Sequence, residues 1–177
     1  MDTDQLNQLI NLCEFPASQK WELKYRASRD GFKSTDFHTK CNGTANTFTV
    51  IKTTSGNIFG GFTEKAWNSN NQWIGDPKAM IFSLVNKENK PFKASCSNQG
   101  ENAICYFKDL GPTFGYKPGK KDIYIAPDSN ENQVSHSYFG LLYHHPDYQH
   151  GTEKAKSILA GSFNFQTIDI EVFSKIK

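Results

Sequence analysis

The sequence predicts a β-rich α+β fold, with antiparallel strands flanked by short helices, and three observations carry that reading. Apolar residues recur with period two in most segments between turn signals, 14 phenylalanines populate those segments, and helical spacing is confined to two short stretches. At 177 residues the chain is expected to form one domain over 1–177. A chain of this size buries roughly 70% of the surface its unfolded form exposes, so it needs no disulfide or metal staple.

Leu6, Leu9, Ile10 and Cys13 recur at helical spacing behind Asp2-Thr3-Asp4, which predicts a short amphipathic helix ending before Pro16. Residues 1–20 are therefore expected to lie on the body as a helical lid, and 21–173 to form a sandwich core. Trp21, Leu23 and Tyr25 alternate with Glu22, Lys24 and Arg26 as in a half-buried strand, and Arg29-Asp30-Gly31 turns the chain. Ser34 reads as the N-cap of a second short helix that carries Phe37 and His38 and closes near Cys41, before Asn42-Gly43. Segments 47–52 and 58–63 read as a hairpin joined by Thr53-Thr54-Ser55-Gly56-Asn57. Gly60-Gly61 inside its second strand would weaken it unless another backbone or an aromatic ring comes close there, and such an approach is expected.

Segment 67–73 encloses a polar stretch and reads as a surface loop pinned at both ends by indoles. Segments 80–85, 103–107, 122–126 and 138–143 are further strand candidates, and 128–137 is the most loop-like part of the chain. Segment 163–173 is the longest strand signal. Ile168, Ile170 and Val172 share one parity and Asp169, Glu171 and Phe173 the other, while Phe163 and Phe165 fall on the acidic parity. Either the strand bulges near Gln166 or both its faces are covered; in the second case Glu171 is a buried carboxylate that needs a partner.

Lys+Arg of 20 against Asp+Glu of 18 leaves a net charge of +2, too balanced for a nucleic-acid or membrane footprint. The one basic knot, 117–121, carries Pro118 and Gly119 and reads as a solvated loop. The first residues are acidic and amide-bearing where a secretion signal needs basic and apolar ones, and no stretch approaches ~18 apolar residues. A cytoplasmic chain without direct membrane insertion is expected, with Cys13, Cys41, Cys96 and Cys105 as free thiols and Asn42-Gly43-Thr44 as a turn and not a glycosylation site.

Enzyme signatures are weak. Cys13 and Cys41 fall at helix C-terminal ends, where the dipole opposes a thiolate, and Cys105 sits in an apolar strand. His144, His145, Asp147 and His150 are the one ligand-rich cluster, but Pro146 and divergent neighbouring imidazoles oppose convergence on zinc, so no metal and no cofactor are expected. Gly115-Tyr116-Lys117-Pro118-Gly119-Lys120-Lys121 is one residue short of a phosphate loop and lacks its hydroxyl. Ser135-His136-Ser137 has no acid at useful spacing, and the aromatics sit mostly at alternating strand positions that favour core packing over base stacking.

WELKYRASRDGFKSTDFHTKC, TFTVIKTTSGNIFGGFTEKAW, IGDPKAMIFSL and SFNFQTIDIEVF occur in that order, from about Trp21 to Phe173. In wording and order these segments resemble the TLDc domain family. The resemblance implies a single TLDc domain built as two antiparallel sheets packed as a β-sandwich with short outer helices. It also implies a part in oxidative-stress resistance and binding to the vacuolar proton-pumping ATPase. A catalytic reading of the family rests on a shared glutamate and serine, here Glu171 with Ser28 or Ser162. The plainer reading, favoured here, pairs Glu171 with Arg26 or Arg29 and so ties the last strand to the 26–31 turn, because a buried carboxylate persists only when paired. Arg26, Arg29, Asp30, Gly31, Gly60, Gly61 and Glu171 are then structural. Binding is expected of a monomer with no nucleic-acid partner, through loops at one end of the sandwich: Trp67 and Trp73 in the first, Asp128, Asn130 and Asn132 in the second.

Overall fold

The computed structural model describes residues 1–97 and 100–176. Its centre is a six-stranded, wholly antiparallel sheet in the order β1-β10-β2-β3-β5-β6. The strands are β1 (Trp21–Arg26), β2 (Thr47–Thr53), β3 (Ile58–Thr63), β5 (Met80–Val85), β6 (Phe92–Ser95) and β10 (Thr167–Lys175). Two small antiparallel pairs, β4 (Trp73–Ile74) with β7 (Ile104–Cys105) and β8 (Ser135–His136) with β9 (Asn164–Phe165), complete the strands.

Period-two alternation gives the sheet two apolar faces and hence two cores. Phe48 and Val50 of β2, Ile58 and Phe62 of β3, and Phe82 and Leu84 of β5 point to one side, where Leu9 and Cys13 close over them. Those residues belong to α1 (Thr3–Leu12) and its C-terminal end, and α1 starts at a capping box: Gln5 N–H donates to Asp2 Oδ1 at 2.8 Å and Asp2 N–H to Gln5 Oε1 at 3.2 Å. On the opposite side Ile51, Phe59, Ile81, Phe92, Ile170 and Val172 join a larger core with Phe114, Phe139, Tyr143 and Phe165. The second layer of the sandwich is thus assembled from the two small strand pairs, irregular chain and the helices α3 (Ser34–Cys41) and α4 (Glu153–Ile158). The architecture is a β-rich α+β sandwich with short flanking helices.

Gly60 and Gly61 lie where the two faces are tightest. A β-carbon on Gly60 would sit 1.8 Å from the Thr49 carbonyl oxygen, and one on Gly61 would sit 2.5 Å from the Phe114 ring. One glycine thus meets a backbone and the other an aromatic ring, on opposite faces of β3.

Several sequence expectations shift. Ser34 is the first helical residue of α3 and not its cap; Lys33 takes that place, its N–H donating to Asp36 Oδ2 at 3.1 Å. Only Ile104–Cys105 of segment 103–107 is strand, and neither 122–126 nor 138–143 is one. Alternating apolar residues there reflect burial in an irregular core: the chain folds around Asp122, whose carboxylate accepts the N–H groups of Leu141 at 2.8 Å and Leu142 at 2.9 Å. The pairing of β6 with β5 and the α4 helix, capped by Thr152, were not anticipated. Both alternatives for the last strand hold in part: the chain breaks at Gln166 between β9 and β10, and from Glu171 to Ser174 β10 is hydrogen-bonded on both edges, with Glu171 buried, whereas Ile168 near its start is exposed.

Gly61→Ala is expected to cost about 1–3 kcal/mol in urea unfolding, and Gly60→Ala more, because a ladder carbonyl moves less readily than a ring. Phe114→Leu should recover part of the Gly61→Ala loss but none of the Gly60→Ala loss. Equal stability of all the variants and wild type would contradict the close approach.

Candidate functional site

The site is built where β1 runs into one helical turn, α2 (Ala27–Asp30), and out again through Gly31, whose φ of 110° lies outside the range of L side chains. The turn is held by its own acid. Asp30 accepts from Arg26 N–H at 3.0 Å and from the Arg29 guanidinium at 2.7 and 2.9 Å, and Lys40 stands 3.8 Å away. Tyr25 O–H donates to the Gly31 carbonyl at 2.7 Å from inside the core.

Arg26 faces Glu171 across the β1/β10 ladder. Its Nη2 and Nε donate to Glu171 Oε1 at 2.6 and 2.9 Å, while the α-amino group of Met1 lies 2.5 Å from Oε2. The Glu171 side chain is 5% exposed and the Arg26 side chain 40%, so the carboxylate is desolvated and its guanidinium partner keeps water. Two residues earlier on the same parity, Asp169 accepts from Ser28 N–H and Ser28 Oγ–H, both at 3.1 Å. β10 is therefore stitched to the 26–31 turn by two carboxylates. Of the two arginines expected as partners, Arg26 is the one used, whereas Arg29 pairs with Asp30.

A pocket of 430 Å³ opens between the first turn of α1 and the sheet, and Gln5, Ser28, Lys52, Asp169 and Glu171 contribute its polar lining. Glu171 and Ser28 thus meet in one cavity. Ser162 does not line it; its hydroxyl donates to the Asn164 carbonyl at 2.5 Å on the exposed surface. A serine nucleophile needs a base and donors for the developing oxyanion. Ser28 Oγ has Asp169 as its hydrogen-bond partner, the neighbouring N–H groups of Ser28 and Ile170 point at that same carboxylate, and Glu171 is paired with Arg26. The arrangement suits tethering and polar binding better than acyl transfer.

The predicted loop anchors separate. Trp67 is a correction: it is 1% exposed, its Nε1–H donates to Thr47 Oγ1 at 2.9 Å, and Phe37 and Phe114 pack on its ring, so it braces the core and offers no contact surface. Trp73 is half-buried, stacked on Tyr116 at 4.1 Å with an interplanar angle of 10°. Asp128 is exposed at φ 52°. The Asn130 carbonyl accepts from Gln166 Nε2 at 2.5 Å. Asn132 is turned inward on its loop, donating to the Pro127 and Asp128 carbonyls at 3.0 and 2.8 Å.

Among the described residues no three His, Cys, Asp or Glu side chains are placed to hold a metal ion. His145 packs on Phe92 and Tyr148, Asp147 pairs with Lys90 at 2.8 Å, and His150 lies against Tyr138. The four cysteines are free thiols, and burial pushes Cys13 and Cys41 up to about 12 and Cys96 and Cys105 up to about 11, far from the thiolate a peroxide reductase requires. Sequence reasoning missed the Asp169–Ser28 link, although the shared parity of Asp169 and Glu171 was its available signal.

Removing Arg26 leaves a buried carboxylate, whereas neutralising Glu171 leaves a guanidinium that water can reach. Arg26→Leu is therefore expected to cost about 3–5 kcal/mol and Glu171→Gln only about 1–2 kcal/mol in chemical unfolding. The reverse order would contradict the geometry. Asp30 sets the acid limb. The Arg29 hydrogen bond lowers its carboxyl from 3.8 to about 2, so its contribution is present above pH 4 and lost as pH falls through 2. Wild type should lose more stability than Asp30→Asn across that window, and parallel profiles would contradict the assignment.

The chain matches the family model of the TLDc domain over residues 1–175. A curated relative, the MTOR-associated protein MEAK7 of Danio rerio, is 24% identical over 139 residues, 78% of this chain. The chain spans 27% of that relative's length. With the match running through α1, the stitched 26–31 turn and nearly all of β10, the chain belongs to the TLDc domain family.

Proposed function

We propose that this chain is a non-catalytic protein-binding module, one domain over 1–177, that engages the vacuolar proton-pumping ATPase in the cytoplasm and contributes to oxidative-stress resistance. TLDc domains are in general non-catalytic binding modules. The observation that carries the reading is the pairing of Glu171: the one buried carboxylate in the pocket is tied to the Arg26 guanidinium across the β1/β10 ladder. The four protonated thiols point the same way, away from direct peroxide chemistry and toward resistance gained through a partner. They also fit a reducing compartment. No helix of the described residues is long and apolar enough to cross a membrane, so a role at the pump rests on surface contact. The zebrafish relative is named for its association with MTOR, which is again a protein partnership and not a reaction.

Loops are the natural contact because the sheet faces are occupied by the two cores. The half-exposed Trp73–Tyr116 stack, beside the exposed Asn70–Gln72 turn, supplies an amphipathic anchor, and the Asp128–Asn130 turn supplies polar rim. The alternative, a small enzyme using Glu171 with Ser28, shares the same pocket.

Purified chain mixed with the assembled pump, and separately with its peripheral sector, should co-sediment with at least one of them and alter ATP-driven acidification. Trp73→Ala should weaken that binding by about tenfold or more, as loss of an interface anchor does, and Ser28→Ala should leave it unchanged. No binding to either form by folded chain would remove the named partner.

A further inference from the structure

The basic hairpin tip at 117–121 is more than a solvated loop, because the fold places it against a surface of aromatic rings. Lys117 and Lys120 pair their backbones across Pro118-Gly119, with N–H donation at 3.2 and 2.8 Å in the two directions. Beyond the tip, Tyr124 bridges to His136, Tyr138 N–H donates to the Lys121 carbonyl at 3.1 Å, and Ser137 N–H donates to the Phe163 carbonyl at 3.0 Å. These backbone contacts set Tyr124, His136, Phe163 and Tyr138 side by side, all half-exposed, with centroid separations of 4.8, 5.4 and 5.0 Å along the row. His150 extends it at 5.9 Å from Tyr138. Lys121 Nζ stands 4.9 Å over the Tyr124 ring and Lys120 Nζ 5.1 Å over the Tyr138 ring, so an ammonium group closes each side.

The balance of charge here is one-sided although the whole chain is nearly neutral. The acids nearby in sequence are engaged with other partners: Asp122 is buried on the Leu141 and Leu142 amides, Asp147 pairs with Lys90 and Glu153 with Lys156. Among the described residues no carboxylate lies within ion-pair distance of Lys117, Lys120 or Lys121, and neither the Tyr124 nor the Tyr138 hydroxyl has a hydrogen-bond partner. Burial holds both His136 and His150 below the usual histidine range, reinforced by the neighbouring lysines, so they act as neutral rings.

The orientation of the rings selects the ligand. Nucleobase stacking needs open ring faces, and part of that area is occupied here: His136 lies on Phe163 at an interplanar angle of 23°, and an ammonium group stands over one face of each tyrosine ring. What the row offers a partner is the exposed part of its rings, phenol O–H donors and ammonium groups. All three favour anions interleaved with apolar side chains.

We propose that the Tyr124–His136–Phe163–Tyr138 row with Lys117, Lys120 and Lys121 is a docking surface for an acidic peptide segment of a partner protein, with carboxylates on the lysines and apolar side chains against the exposed rings. This rests on the reading of the chain as a protein-binding module. It names a surface distinct from the Trp73 and Asp128 loops.

The test is fluorescence anisotropy on the full chain with three labelled probes: a peptide alternating Glu and Phe, one alternating Lys and Phe, and oligouridylate. The acidic peptide should bind, and its Kd should rise several-fold between about 50 and about 300 mM salt, as expected of exposed charge contacts. Lys120→Glu with Lys121→Glu, checked for an unchanged melting curve, should weaken it about tenfold or more. Tyr138→Ala should weaken it further than Tyr138→Phe, which keeps the ring and loses the hydroxyl. Binding of the basic peptide or oligouridylate as tightly as the acidic one, or an unchanged Kd after charge reversal, overturns the proposal. Wild type that co-sediments with the pump yet ignores the acidic peptide overturns this surface and leaves the module reading standing. Wild type that takes the peptide without the pump supports this surface and removes the named partner.

Discussion

A strand segment that is hydrogen-bonded along both edges and buried has no room for an unpartnered charge, and β10 is such a segment at Glu171. Its apolar parity, Ile170 and Val172, belongs to the larger core. Its other parity carries Asp169, Glu171 and Phe173, of which only Phe173 can be satisfied by packing on the α1 side. The two carboxylates must therefore be met by donors brought to them. That requirement organises the surroundings: Arg26 stands opposite Glu171 on β1, the chain turns at once through α2 so that Ser28 reaches Asp169, and Asp30 and Gly31 hold the turn in shape. The helix α1 then lies over the smaller core, with its first turn beside the same carboxylates.

The same constraint explains why a pocket with a serine and three acids need not be an active site. Catalytic carboxylates are held with a proton to give or a lone pair to offer. Here the lone pairs of Glu171 and Asp169 point at a guanidinium, at the N–H and hydroxyl of Ser28 in the turn, and at the Ile170 N–H of β10 itself. Meanwhile the exposed chemistry of the molecule lies elsewhere, in the Trp73–Tyr116 stack and the lysine-edged row of rings. Those are the surfaces proposed above for binding.

How much of this could be read in the sequence depended on whether burial and backbone pairing coincided. In β2 and β3 they do, so alternation, the Gly56-Asn57 turn and even the crowding at Gly60 and Gly61 were legible. In 122–126 and 138–143 apolar residues alternate because irregular chain packs around Asp122, and the periodicity falsely signals strands. Arg26 and Glu171 were legible as partners because a charge on a covered strand demands one. Trp67 was misread because an indole beside a polar loop gives no sign of which way it turns, and the ring goes inward to Thr47. The row of rings was illegible, since Tyr124, His136, Tyr138 and Phe163 are brought together only by bridges between distant, irregular segments.

The account's central claim is that the Arg26–Glu171 pair is a tether and not machinery, and replacing both members at once tests it most directly. Glu171 is buried and Arg26 partly exposed, so replacing both with apolar side chains avoids the uncompensated buried charge that losing Arg26 alone would leave, whereas no catalytic role of Glu171 survives it. The measurement is oxidant survival of cells carrying the Arg26→Met/Glu171→Met chain, with its fold and pump binding confirmed in parallel. The account predicts protection equal to wild type. A double variant that folds and binds the pump but no longer protects would contradict it and return Glu171 to a catalytic role.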